Sequence, residues 1–366
     1  MYNENFMGLG GFLWFTGVVE DRQDPLYAGR LRVRILGHHT ENLEYLPTAD
    51  LPWASVMMST TSSGISGIGS SPSGLLEGSW VLGYFRDGQR RQEMVILGSL
   101  PGRPTELADN RLGFYDPNEI YPKYKDESDV NRLAVNLKDE NGNETNPHLS
   151  LTLRRATRIT GIPTADFNSM ALPGNQESTL ASDGNTWSQP AIPYNASYPY
   201  NHVYETESGH IVEYDDTPLA ERIHIRHRSG TSTEISPNGT QTNIIKGDSY
   251  TLTNGDHQVY IQGNSDITID GRHKLFINKK GGLNNHYDIQ IGPGANINIQ
   301  VDSGDINLHT LTGRINVNSG GDYNLKVGGD MTVEVAGNMV SNVEGISLLN
   351  TVGEVTIRGA TIDLNP

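Results

Sequence analysis

The chain has 366 residues, a formal net charge of −16, 41 glycines and no cysteine. Its length allows two or three domains. Its acidity argues against a general nucleic-acid binder, because phosphate contacts carry sequence-independent affinity, and without cysteine there is no disulfide framework or thiolate site. The N-terminus carries Glu4 and only a short apolar stretch at Phe12–Phe15, unlike a signal peptide, and no run approaches the roughly 18 apolar residues of a membrane span. The expectation is a soluble protein made in the cytoplasm.

Residues 1–105 read as a compact β domain. Trp14–Glu20 forms a first strand and Arg22–Gly29 a turn. In Arg30-Leu31-Arg32-Val33-Arg34-Ile35, charge alternates with apolar side chains as in a half-buried strand. Further strands follow at Trp53–Met58, Ser79–Phe85 and Glu93–Leu97. Five short strands in such a stretch point to a small Greek-key barrel of the OB type, closed off by Pro101-Gly102-Arg103-Pro104. Residues 106–197, rich in Asn, Asp, Pro and Ser, read as an extended connector. Within it Leu149–Ile159 interleaves Arg154, Arg155 and Arg158 with apolar residues, either a solvated face or a basic strand or helix docking on an acidic neighbour. Residues 198–238 read as a β-strand neck, with strands at His210–Tyr214, Ile223–His227 and Thr231–Ile235.

From residue 239 to residue 366 glycines fall on an eight-residue ruler. One run is Gly239, Gly247, Gly255, Gly263 and Gly271; the second is Gly313, Gly321, Gly329, Gly337, Gly345 and Gly353. Between them apolar residues alternate, as in Val259 and Ile261 or Ile315 and Val317, and Asp or Asn often follows the glycine. Period-two alternation marks strands with one buried face. A glycine at fixed phase marks a bend that needs positive φ or close approach. This is a stacked β-helical repeat. Residues 272–312 interrupt it, with bulges expected at Lys279–Gly282 and Gly292-Pro293-Gly294. Each octad offers two or three inward apolar side chains, too few for one chain to offset the entropy of ordering itself. Three copies wound together share that burial. The fold class is therefore all-β: an OB-type barrel, an extended linker and an intertwined homotrimeric β-helix.

The stretch Trp14-Phe15-Thr16-Gly17-Val18-Val19-Glu20-Asp21-Arg22 with Asp24-Pro25-Leu26 and Gly29–Arg34 resembles the OB domain of the central baseplate spike of T-even-like contractile-tailed phages. So do Leu51–Val56, Ser66–Gly69, Glu77-Gly78-Ser79 and Asn110–Pro117, and a second block at Tyr198–Ile211, Asp215–Pro218 and Glu221-Arg222. The spike proteins of type VI secretion systems and extracellular contractile injection systems share the layout. The resemblance implies a trimeric cell-puncturing spike at the centre of a virion's tail baseplate. Its OB domains would bind a trimer of hub proteins, with baseplate wedge or tail tube proteins nearby, and its β-helix would point at the host envelope. The T-even-like relative carries a lysozyme domain between barrel and needle. Here only about 80 residues separate Pro117 from Tyr198, roughly half of a muramidase fold, so a structural protein without enzymatic activity is expected.

Glu205, Glu207, Glu213, Asp215 and Asp216 cluster as a glycosidase's carboxylates would, but Asp215-Asp216-Thr217-Pro218 reads as a strand-ending turn. His224 and His227, like His38-His39, split across two strand faces, so zinc is not expected. No Lys-Ser or Lys-Thr follows Gly74, which makes Gly67–Gly74 a barrel loop and not a phosphate cradle. No motif calls for a cofactor. Arg30, Arg32 and Arg34 are expected to face an acidic hub surface, and nucleic acid is not expected as their partner. The enzymatic alternative, a trimeric β-helical glycan-degrading tailspike, wants aromatic platforms, and the octads hold few: Tyr250, Tyr260, Phe276, Tyr287 and Tyr323. At the end of the sequence Ile362 and Leu364 continue the alternation. They are the expected contact for a separate small capping protein resembling PAAR-repeat tips, since open strand edges and exposed apolar ends invite pairing.

Overall fold

Alternating residues become a closed barrel in the first hundred positions. The computed structural model of the protein describes residues 12–72, 74–102, 113, 128–135, 178–180, 184–188, 190, 194–277 and 286–363. Its strands β1 (Leu13–Asp21), β2 (Leu31–Ile35), β3 (Trp53–Val56), β4 (Trp80–Phe85) and β5 (Met94–Ser99) are ordered β1-β2-β3-β5-β4 and close on β1. All neighbours are antiparallel except β3 and β5. This is the five-stranded Greek-key barrel of an OB fold. Every second residue points inward: Phe15, Val19, Leu31, Val33, Ile35, Ala54, Val81, Phe85, Met94 and Ile96 form one buried cluster.

Two glycines let the strands close this tightly. Gly83 lies opposite Phe15 across β1 and β4, and a Cβ there would meet the Phe15 ring and the Val95 carbonyl oxygen. A Cβ on Gly17 would lie 2.6 Å from Val33 Cγ1 and 2.7 Å from the Arg34 carbonyl oxygen. Close approach, not backbone conformation, fixes both residues.

The described part of the connector includes a short helix α1 (Arg132–Val135) and a hairpin of β6 (Ser178–Leu180) and β7 (Thr186–Ser188). Leu149–Ile159, Lys279–Gly282, Arg103-Pro104 and, apart from Gly113, Asn110–Pro117 lie outside the described residues. The neck is one antiparallel sheet, β8 (Asn201–Glu205), β9 (Ile211–Asp215), β10 (Arg222–Arg226), β11 (Ser232–Ile235) and β12 (Gln241–Ile244), in sequential order. Its last strand lies within the first span of the glycine ruler.

Two compact units divide the chain, residues 1–273 and 274–366. Past Ile244 the described residues of both units form neither helix nor hydrogen-bonded ladder. No helix among the described residues is long and apolar enough to cross a membrane.

Candidate interaction surfaces

The arginine row of β2 is spoken for within the chain. Arg34 is fully buried: its Nε and Nη2 donate to Glu20 at 2.6 and 2.9 Å, and Nη1 and Nη2 donate to the carbonyls of Thr40 and Leu46 at 2.7 and 2.8 Å. Thr48 Oγ1 donates a further bond to Glu20. Gly113, at φ 73, packs so closely on this guanidinium that a Cβ would lie 2.7 Å from Nε. The expectation of a hub contact at Arg34 is therefore corrected. Alternation places it on the outer face of β2, but a covering loop turns that face into interior. Arg32 stacks 4.5 Å from the Trp53 ring, 3.5 Å from Asp21, and Arg30 is bound to Asp24. Both remain half-buried.

Asp24 organises the turn after β1. Its carboxylate accepts from the backbone N–H groups of Leu26, Ala28 and Arg30 and from Nε and Nη2 of Arg30. The Arg30 hydrogen bonds, outweighing the cost of burial, hold its carboxyl well below the usual range. The result is a fixed loop that presents Leu26 and Tyr27, the latter 97% exposed at φ 52. Nothing in an Asp-Pro-Leu-Tyr string marks this in advance, because the carboxylate's five bonds come from residues that only the turn brings together. Beside the loop, Arg22 joins the barrel to the neck, donating to both oxygens of Glu207 at 2.8 Å and lying 3.3 Å from Glu77.

The neck sheet is inverted relative to an ordinary amphipathic sheet. Its covered face holds Asn201, Glu213, Asp215, Arg222, His224, Arg226 and Glu234, all buried. Glu213 sits at the centre: Asn201 Nδ2 donates to it at 2.7 Å, His224 Nδ1 lies 3.3 Å away, and Arg222 Nη2 pairs with it at 2.7 Å. Burial pushes the Glu213 carboxyl up, but His224, Arg222 and Asn201 together outweigh it and lower it to about 2. Glu234 goes the other way, raised by burial against weaker help from His224 and Arg222. The opposite face runs His202–Tyr214–Ile223–Ile235–Gln241 in one row and Tyr204–Val212–Ile225–Thr233–Asn243 in the next. Tyr204, Tyr214, Ile223, Ile225 and Ile235 on it are exposed.

The carboxylates of the acidic cluster are engaged within the chain. Glu205 accepts from Asn131, Glu207 from Arg22, and Asp215 from the Thr217 backbone N–H, which is the strand-ending turn read in the sequence. Asp216 is 3.7 Å from His202 at the surface. His224 and His227 are separated as their spacing requires: His224 is buried beside Glu213, while the exposed His227 stacks 4.5 Å from His210. Among the described residues no three His, Asp or Glu side chains gather as a metal site.

Along the octads the apolar residues that alternate in sequence lie open to solvent, Val259, Ile267, Ile315 and Val333 among them. Gly239 has φ 81, but the other ten ruler glycines are not in the left-handed region. A bend by positive φ is therefore corrected for those ten. At all of them except Gly313 a Cβ would meet nothing within 4 Å of its own chain. The turn at Gly292-Pro293-Gly294 is present, with Gly294 at φ 83. Ile362 is 48% exposed, and Leu364 lies outside the described residues.

Residues 38–177 match the family described as Gp5 N-terminal OB domain. The match takes in β3, β4 and β5, and the barrel itself begins earlier, at Leu13. Protein Gp5 of Vibrio phage KVP40 is 41% identical over 279 residues, covering 70% of this chain. The chain spans 63% of that relative's length. The pre-baseplate central spike protein Gp5 of Enterobacteria phage T4 is 25% identical over 437 residues, covering 66% of this chain and 76% of that protein. With its β1-β2-β3-β5-β4 barrel and these similarities, the chain carries a Gp5 N-terminal OB domain and is a relative of the Gp5 proteins of both phages.

Proposed function

We propose that this chain is the structural central spike of a phage tail baseplate, working as a homotrimer in the virion. One observation carries the reading: past Ile244 the octad segment has the alternation of a strand stack, yet among its described residues it makes no ladder within one chain and leaves its valines and isoleucines exposed. Backbone donors and acceptors and apolar side chains at that density need partners, and identical octads on two further copies supply both. The open space at the ruler glycines fits the same picture, since it leaves room for a neighbouring backbone. The name of the T4 relative supports the place in the baseplate.

In this reading the barrels ring a trimeric hub protein, with wedge or tube proteins beyond it. Leu26 and Tyr27 offer a fixed apolar contact there, and Arg30 and Arg32 a half-buried basic one. The octads form the β-helix that pierces the host envelope, and Ile362 with Leu364 meets a PAAR-like tip protein. The role is mechanical and not enzymatic. Its support is that the neck carboxylates are bound up in structural contacts. In addition, the T4 alignment sets 437 residues of that protein against 66% of these 366, so a long stretch of the relative faces a gap. Both relatives are phage proteins, which favours a tail over a secretion apparatus.

Sedimentation with light scattering on the purified chain tests the assembly. A trimeric mass with an elongated frictional ratio is expected, and a stable monomer overturns the reading.

A further inference from the structure

We infer that the first octads bind transition-metal ions on the axis of the assembled chains, with His257 and His273 as ligands, one imidazole from each copy. The inference rests on the trimeric reading above. Within one chain both histidines are exposed, and among the described residues no ligand group gathers around either. The parity of the residue numbers shows which face of the repeat carries them. From Gly239 to His273 every charged side chain stands at an even number: Lys246, Asp248, Asp256, Asp266, Asp270 and Arg272. The second run keeps the same rule from Gly313 to Ala360. Val259, Ile261, Ile267 and Ile269 stand at odd numbers. Period two puts the two sets on opposite faces, and the odd face is the one that seeks burial. His257 and His273 are on it.

The two histidines also share one place in the octad. The second residue after each ruler glycine is Gln241, Ser249, His257, Ser265 and His273 in the first run. In the second run the same place holds Ile315, Tyr323, Met331 and Met339. The fourth and sixth residues of the histidine octads are Val259 and Ile261, then Leu275 and Ile277. A column of polar side chains therefore runs beside apolar ones on a face without charge. Packing alone does not call for it, since methionine fills the same place further along.

Three copies related by a common axis bring their three His257 rings to one level, and their three His273 rings to another. No carboxylate stands on this face to balance an imidazolium, and an unpaired buried charge is costly, so the rings are enclosed neutral. Each neutral ring has one N–H and one lone pair. Three lone pairs turned towards an axis need a common partner, and a transition-metal ion takes all three. Neutral imidazole is the commonest protein ligand of such ions, and three histidines with a water complete a zinc coordination shell. Imidazole equally suits copper, iron and nickel. The other N–H of a metal-bound histidine requires an acceptor. Ser249 and Ser265, one octad to either side of His257 in the same column, carry the hydroxyls for it. An ion held only by three copies together stabilises the assembly and not the separate chain.

The test uses the full chain, produced without an affinity tag and sized by light scattering. One preparation is dialysed against metal-free buffer and its metal content is measured by elemental analysis. A second is assembled from denaturant with cobalt(II) as the probe. The native trimer is expected to retain metal, up to one ion at each histidine level, and to show the visible absorption of nitrogen-bound cobalt(II). His257→Met combined with His273→Met is expected to form a trimer that holds neither metal, while His227→Gln in the neck retains as much as the native chain. Should the combined variant fail to assemble, each single variant is expected to lose one of the two ions. A native trimer without metal in both preparations overturns the inference, as does undiminished metal in the combined variant or in both single ones. Each of these results leaves the trimeric reading standing. A monomeric native chain overturns both.

Discussion

The barrel and the octad segment solve the same problem in opposite ways. Both are built from alternating strands with glycines at close quarters. In the barrel every inward side chain from Phe15 to Ile96 finds its neighbours within one chain, and the closed sheet leaves no edge. In the octads nothing is closed. The alternation is as regular, but Val259, Ile261, Val327 and Val333 remain open to water. The difference shows that periodicity specifies a face to bury without specifying whose surface will bury it. With the assembly proposed above, it also separates two kinds of stability, one belonging to a single chain and the other to chains in contact.

The largest effect that sharpens this comparison is expected at Arg34. Replacing it with Met leaves the Glu20 carboxylate buried without a cation, with the Thr48 hydroxyl still donating to it. Removal of one member of a buried pair costs about 3–5 kcal/mol. The loss should appear in the denaturant midpoint of the barrel, followed by Trp fluorescence, and should not depend on protein concentration, because the pair lies within one chain. Adding Glu20→Gln should recover a large part of it. An unchanged midpoint in Arg34→Met would remove the ion pair from the account of the barrel.

A second, smaller contrast uses the glycines. Gly83→Ala forces a methyl group against the Phe15 ring and the Val95 carbonyl, and overpacking of this kind costs about 1–3 kcal/mol. The barrel should be destabilised in the monomer and in any assembly alike. Gly329→Ala meets nothing within its own chain. Its effect should be absent from the folding of the barrel and should show only in the assembly of copies, read as a fall in the fraction of trimer on dilution. Equal effects of the two substitutions on barrel unfolding would erase the distinction between the regions.

How much of this was legible in the sequence depends on what alternation can encode. The barrel strands fall close to their expected positions, since Leu31, Val33 and Ile35 point to one face and the core lies there. Arg34 was not legible as a buried group. The pattern assigns it to the outer face, and only the loop from Thr40 to Leu46, with Gly113, converts that face to interior. The neck shows the same limit of alternation. In Ile211-Val212-Glu213-Tyr214-Asp215 and Arg222-Ile223-His224-Ile225-Arg226, period two separates the two faces cleanly. It does not say which one is covered, and here the charged face is buried while most of the apolar one is open. Nothing in the sequence separates β12 from the octads, because Gln241–Ile244 lies inside the glycine ruler and shares its alternation.

The finest test of the comparison within the first unit is acidification. In the barrel, His39 Nδ1 accepts the Ile35 backbone N–H at 3.0 Å, so a proton on that nitrogen destroys the bond. Burial, helped by the neighbouring His38 and Arg34 charges, lowers His39 from 6.5 to about 4. The folded barrel therefore resists protonation that the unfolded chain accepts. Its stability is whole above pH 6.5 and falls as pH drops towards 4. In the neck, Glu213 is lowered from 4.5 to about 2, so its contribution is whole above pH 4.5 and is lost only as pH falls from there towards 2. Glu234, raised by burial, is relieved by acid and flattens the neck's response further. Melts between pH 7 and 4.5, followed by the fluorescence of Trp14, Trp53 and Trp80, should show the barrel weakening across this range. The neck, followed by near-ultraviolet dichroism of Tyr204 and Tyr214, should weaken less, its own response in this range coming from His210, which burial and the His227 and Arg228 charges lower. His39→Gln keeps a side-chain acceptor within reach of the Ile35 N–H but cannot be protonated, so it should flatten the barrel's slope between pH 6.5 and 4.5 and leave the neck unchanged. A barrel slope that persists in His39→Gln would place the proton uptake elsewhere and remove this difference between two β structures folded in one chain.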